Sequence, residues 1–121
     1  MTTIEDLLRR NVTDVFDERD DGRRREAIEE LYAPDATIAE ANGTEVGWDG
    51  VDAVARGVLD GAAGMTFSVV SGPTVVDDLG RVGWELAPAA GGDAVVRGTD
   101  VALVRDGRIA RLYTFLEPFA G

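Results

Sequence analysis

Proton chemistry in this 121-residue chain falls to carboxylates and phenols, because it has no His, no Cys and no Lys. That removes the usual general base, a thiolate nucleophile and a Schiff-base amine. One carboxylate is out of place. Asp100 lies in Val95–Val104, a run rich in β-branched residues and followed by Arg105-Asp106-Gly107-Arg108. Such a run reads as a strand entering a tight hairpin at Asp-Gly. The residues after Asp100 are apolar on both alternations, so both strand faces are expected to be covered. A buried carboxylate must find partners, or raise its pKa and stay protonated, and either outcome makes it a candidate for chemistry.

The elements that would position it follow from periodicity. Ile4, Leu7, Leu8, Val12, Val15 and Phe16 form one helical stripe, which predicts a first helix over 3–19. Thr2 with Glu5, or Thr3 with Asp6, would open it as a capping box, and 17–22 would close it as a solvated turn. A second helix is predicted over 23–32, stopped by Pro34. Short strands over 37–40 and 45–48 flank Asn42-Gly43, and Asp49 is a candidate N-cap for a third helix to Leu59. Strands over 65–76, 81–88, 94–105 and 108–117 complete an antiparallel meander, with a candidate bend at Gly72-Pro73. Helices followed by a sheet predict an α+β fold in one domain, 1–121.

Composition narrows the partners. The net charge is −11, from 12 Arg against 23 Asp and Glu, which disfavours nucleic acid and anionic membrane. The charge is read as compositional, serving solubility or marking a salt-loving source or GC-rich genome. A metal would need an all-oxygen site, and no Asp-x-Asp-x-Asp-Gly loop is present, so neither metal nor cofactor is expected. No apolar run is long enough to span a bilayer and the N-terminus lacks signal-peptide character, which predicts a cytoplasmic protein.

Three segments carry a family resemblance. They are Ala27–Ile38 at the helix-to-strand passage, Gly47–Val54 at the entry to the third helix, and Gly98–Ile109 at the closing hairpin. With the element order, they make the chain resemble the nuclear transport factor 2-like superfamily, in its SnoaL-like polyketide cyclase and ketosteroid isomerase branch. The resemblance implies a cone, a curved mixed or antiparallel sheet wrapped around three N-terminal helices, with an apolar pocket inside. It also implies a homodimer through the outer sheet face, consistent with large apolar groups on both alternations of 111–116. The fold hosts enzymes and non-enzymes alike.

Similarity to ketosteroid isomerase assigns roles. It places Glu40 at the base position and Asp100 at that of a protonated acid donating to a developing oxyanion. The helix-one Tyr of that enzyme falls on Phe16, which has no hydroxyl, and one such donor is worth on the order of 10²–10³ in rate. Tyr32, a candidate partner of Asp100, is the third candidate catalytic residue beside Glu40 and Asp100. Phe16, Trp48, Phe67, Trp84 and Leu116 are the candidate pocket residues. Similarity to limonene epoxide hydrolase would instead need Arg97 beside Asp100, yet residues three apart on a strand face opposite ways unless Gly98 bulges. Two functions stay open: a cofactor-free isomerase or cyclase abstracting a proton next to a carbonyl, and a non-catalytic ligand-binding or assembly domain.

Overall fold

The computed structural model describes residues 2–117; the ends of the expected domain, 1 and 118–121, lie outside the described residues. The first helix, α1, spans Ile4–Arg10 and opens with the second of the two expected capping boxes. The Thr3 hydroxyl accepts from the Asp6 amide at 3.1 Å, and the Asp6 carboxylate accepts from the Thr3 amide at 3.4 Å. The helix does not continue as α to residue 19. Asn11–Phe16 widens into a π turn, and the Thr13 hydroxyl donates to the Arg9 carbonyl at 3.2 Å beside it.

The segment after Phe16 is tied down rather than solvated. The Asp17 carboxylate accepts from the Phe67 amide at 2.8 Å and from the Thr66 hydroxyl. Arg19 donates to the carbonyls of Leu59, Ala62 and Met65. Helix α2 spans Asp21–Leu31, capped by the Asp20 side chain. Its Arg24 is 1% exposed and pairs with Asp52 at 2.7 Å and with Asp21, while donating to the Glu18 carbonyl. Helix α3 spans Gly47–Asp60 and starts earlier than predicted. Asp49 is not its N-cap; it sits in the first turn and pairs with Arg25 at 2.6 Å.

Strands β1 (Tyr32–Glu40), β2 (Gly43–Val46), β3 (Met65–Val76), β4 (Leu79–Pro88), β5 (Val96–Arg105) and β6 (Arg108–Glu117) form one sheet in the order β2-β1-β6-β5-β4-β3. The predicted meander β3-β4-β5-β6 is antiparallel throughout, and β1 joins β6 in parallel. The result is a six-stranded, mixed, curved and unclosed sheet with three helices, the α+β cone expected from the sequence. Register shifts bend it, including one between Val69 and Ser71 and one that spans Gly72-Pro73.

The helices fill the concave face. Leu7, Leu8, Val12 and Val15 are buried with Ile28, Leu31, Val51, Ile109 and Leu112 in one core. Gly80 admits α1 to the sheet, because a Cβ there would lie 2.6 Å from Leu8 Cδ1. Along β5 the burial alternates: Gly98, Asp100, Ala102 and Val104 point inward and buried, while Val101 and Leu103 are half-buried outside. The outer face of Asp100's strand is therefore only partly covered, short of the two-sided burial read from sequence.

Candidate active site

Asp100 is the only Asp or Glu among the described residues that is buried, at 4% exposure. Three neighbours donate to it. The Trp84 indole Nε1–H reaches Oδ1 at 2.9 Å from β4, and the Thr114 hydroxyl reaches the same oxygen at 2.9 Å from β6. The Asn11 amide Nδ2 approaches Oδ2 at 3.4 Å from the π turn. Burial is the largest influence and raises the pKa; these hydrogen bonds oppose it, leaving the carboxyl pushed up from 3.8 to about 6.

Each donor has its own support. Trp84 lies opposite Gly98 in the β4–β5 register, and a Cβ on Gly98 would overlap the indole ring. Absence of a side chain there lets the indole lie across β5 and reach Asp100. Thr114 faces Asp100 directly in the β5–β6 register. Asn11 is oriented by Tyr32, whose hydroxyl donates to Asn11 Oδ1 at 2.6 Å. With its oxygen engaged there, the amide presents Nδ2 to Asp100. Burial and the Asp100 charge raise the Tyr32 pKa well above its ordinary value, so Tyr32 remains a proton-bearing donor.

Asp100 opens on a cavity of about 480 Å³ beneath the helices. The π turn lines it with Val12 and Phe16, α3 with Val54 and Val58, and β1 with Ile38 and Glu40. The sheet supplies Phe67, Trp84 and Leu86, with Thr114 beside Asp100 and Leu116 at the exposed rim. Phe16, Phe67 and Trp84 pack edge to face, with centroids 6.2 and 5.3 Å apart. This volume lies in the ordinary range for small-molecule sites, as does the pattern of an apolar lining with few polar groups.

The sequence-derived candidates separate into three groups. Glu40 and Asp100 line the same cavity, together with Phe16, Phe67, Trp84 and Leu116. Glu40 is half-buried and accepts from the Asn42 amide at 3.1 Å through Oε1. Tyr32 is fully buried behind the cavity and reaches Asp100 through Asn11. Trp48 is elsewhere: its indole N–H donates to the Tyr32 carbonyl at 2.9 Å and Arg25 lies 5.9 Å over its ring, so it clamps α3 to β1. Arg97 does not join Asp100, because the register runs unbroken through Gly98 and Arg97 lies 3.5 Å from Glu85. Among the described residues no three Asp or Glu side chains converge to hold a metal ion. Asn11 was missed. Its signal was available: it stands four residues from both Leu7 and Val15, a polar side chain on the apolar stripe.

The protein's resemblances agree with this architecture. A SnoaL-like family protein of Agrobacterium tumefaciens, provisionally named an isomerase, superposes with a TM-score of 0.84 at 24% identity, over 93% of this chain and 95% of its own. A Jannaschia protein provisionally named a SnoaL-like polyketide cyclase gives 0.71 at 20% identity, over 97% and 90%. A nuclear transport factor 2-like protein of unknown function from Exiguobacterium gives 0.67 at 21%, over 88% and 95%. Likeness at these identities speaks to the fold alone. No curated protein sequence matches the chain. The family model for the SnoaL-like domain matches residues 10–112, spanning the π turn, the helices and most of the sheet. The chain therefore belongs to the SnoaL-like domain family, and its fold is that of nuclear transport factor 2-like proteins.

Proposed function

We propose that the chain is a single domain, 1–121, that binds an apolar small molecule and moves a proton next to a carbonyl without a cofactor, Asp100 acting as the base. The observation that carries this reading is the environment of Asp100: a buried carboxylate held by three donors and open to an apolar cavity. Trp Nε1–H can only donate, and Tyr32 fixes the Asn11 amide as a donor, so the ionised form is the one being held. With its pKa pushed up to about 6, Asp100 is mostly ionised at neutral pH yet more basic than an ordinary carboxylate. Base rather than acid is the role these contacts favour, which reverses the roles implied by likeness to ketosteroid isomerase.

A substrate-independent probe tests the reading. 5-Nitrobenzisoxazole loses its C3 proton to a base, its N–O bond breaks, and a coloured cyanophenolate is released. Elimination by the wild-type protein is expected to exceed that by Asp100→Asn by at least about 100-fold. Its rate should rise with pH to a plateau, with a midpoint near 6. Equal rates for the two proteins would overturn the assignment.

A second reading has its own support. Both Asp100 oxygens already accept hydrogen bonds, which would equally suit a structural carboxylate beneath a ligand-binding cavity. That reading expects ligand binding with no elimination. For assembly, we propose a cytoplasmic homodimer joined through the outer sheet face. There Phe115 is 58% and Tyr113 37% exposed, beside half-buried Val101. Phe115→Glu should convert the dimer to monomer by analytical ultracentrifugation.

A further inference from the structure

The cavity's charge is one-sided. Among the described residues, Glu40 and Asp100 are the only ionisable groups lining it, and no Arg does. In a chain carrying 12 Arg, that arrangement does not come from a lack of cations. The Arg side chains of the helices are engaged away from the cavity: Arg10 with Asp14 and Glu30, Arg24 with Asp21 and Asp52, Arg25 with Glu29 and Asp49. Two like charges on one apolar space repel, and the net charge of −11 adds to the same potential.

The two carboxylates are not equivalent. Asp100 is deep, and each of its oxygens already accepts a hydrogen bond from the protein. Glu40 is half-exposed at the end of β1 and accepts one bond, through Oε1, leaving Oε2 without a hydrogen-bond partner among the described residues. A cation meeting Glu40 would keep part of its hydration, avoiding the full cost of burying a charge. From there the cavity runs along the packed rings of Phe16, Phe67 and Trp84 to Asp100.

We propose that the site selects a hydrophobic amine, an ammonium group on an apolar ring system, with Glu40 pairing to the ammonium, and that it rejects carboxylates and phosphates. This rests on the reading of the cavity as the ligand site and adds the charge class of the ligand.

Three probes of one shape test it by isothermal titration calorimetry at pH 7.5: naphthalen-2-ylmethylamine, naphthalene-2-methanol and 2-naphthoate. The amine should bind at least about 10-fold more tightly than the alcohol, and the naphthoate at least about 10-fold more weakly. In Glu40→Gln, which replaces a half-exposed side chain at a strand end, the amine-to-alcohol affinity ratio should fall at least about 5-fold, the Asp100 charge keeping the remainder. The proposal is overturned if the alcohol binds wild type as tightly as the amine, if the naphthoate binds as tightly as the alcohol, or if Glu40→Gln keeps the amine preference undiminished. Should the alcohol bind without any amine preference, the charge class fails while the cavity remains the ligand site. Should none of the three bind, both this inference and the ligand-site reading fall.

Discussion

Ionising Asp100 inside the fold is costly, and the cost can be measured as a pH-dependent loss of stability. In an unfolded chain its carboxyl loses its proton near 3.8; in the folded protein it does so near 6. Below 3.8 both states hold the proton, and the group imposes no penalty. Between the two values the unfolded chain has released its proton while the folded one still binds it, so each rise in pH favours unfolding. Above about 6 both are ionised and the penalty is constant. The interval corresponds to about 3 kcal/mol of unfolding free energy. Asp100→Asn cannot ionise and escapes this dependence. The stability of the variant minus that of wild type should therefore rise by about 2 kcal/mol from pH 4 to about pH 6.5, and be flat above about pH 7. Taking the difference cancels the remaining acids. Among them Asp21 and Glu30 have pKa values lowered by hydrogen bonds from Arg24 and Arg10, and work in the opposite sense, adding stability as pH rises. The variant also carries a pH-independent penalty, since the amide introduced in place of the carboxylate would face the donor of Asn11; this offsets the curve without tilting it. Urea unfolding followed by far-UV circular dichroism is the suitable assay, because Trp84 fluorescence itself responds to Asp100. A difference that stays flat across this window, or falls, would refute the claim that burial raises the Asp100 pKa.

Three further outcomes follow from the same contacts. Gly98→Ala forces the Trp84 indole off β5, so it should cost about 1–3 kcal/mol in urea unfolding and lose the hydrogen-bonded indole N–H resonance in nitrogen-15 NMR. Tyr32→Phe removes the hydrogen bond to Asn11 Oδ1; stability should drop by about 1–3 kcal/mol. Its benzisoxazole pH profile should also shift upward, because the freed Asn11 amide holds the Asp100 charge less well. Asp52→Asn deprives buried Arg24 of one partner and should cost about 1–3 kcal/mol by thermal or urea unfolding. That is less than the loss of an entire buried pair, since Asp21 and the Glu18 carbonyl still hold Arg24.

What could be read from sequence depended on how far a contact reaches along the chain. The α1 stripe, the Thr3–Asp6 box and the Asp106-Gly107 hairpin are local and were legible. Trp48 was misplaced because Gly47, at φ 78°, lets α3 begin directly after β2 and turns the indole towards the Tyr32 carbonyl. The π turn at Asn11–Phe16 has no periodicity of its own to announce it. The hydrogen bond of Trp84 to Asp100 was not legible either. That bond needs the bare backbone of Gly98 opposite the indole, and only the β4–β5 register brings the two together.

The contacts of Asp100 show why a matched position does not by itself fix a role. Likeness to ketosteroid isomerase placed a carboxyl at this point and implied a proton-bearing donor. Whether a carboxyl there donates or accepts is decided by what surrounds it: an apolar shell alone keeps it protonated, whereas fixed donors draw it towards the carboxylate. Here those donors come from three separate elements, Asn11 on the π turn, Trp84 on β4 and Thr114 on β6. Two of them depend on a further residue, Asn11 on Tyr32 for its orientation and Trp84 on Gly98 for its space. Burial outweighs the donors enough to lift the pKa to about 6, and the donors keep it from rising further. Those opposed influences leave a carboxylate that is ionised at neutral pH and unusually basic, the condition a general base requires. The same logic separates Glu40 from Asp100. Half-exposed and held by a single backbone amide, Glu40 stands where a charged ligand can reach it and keep part of its hydration.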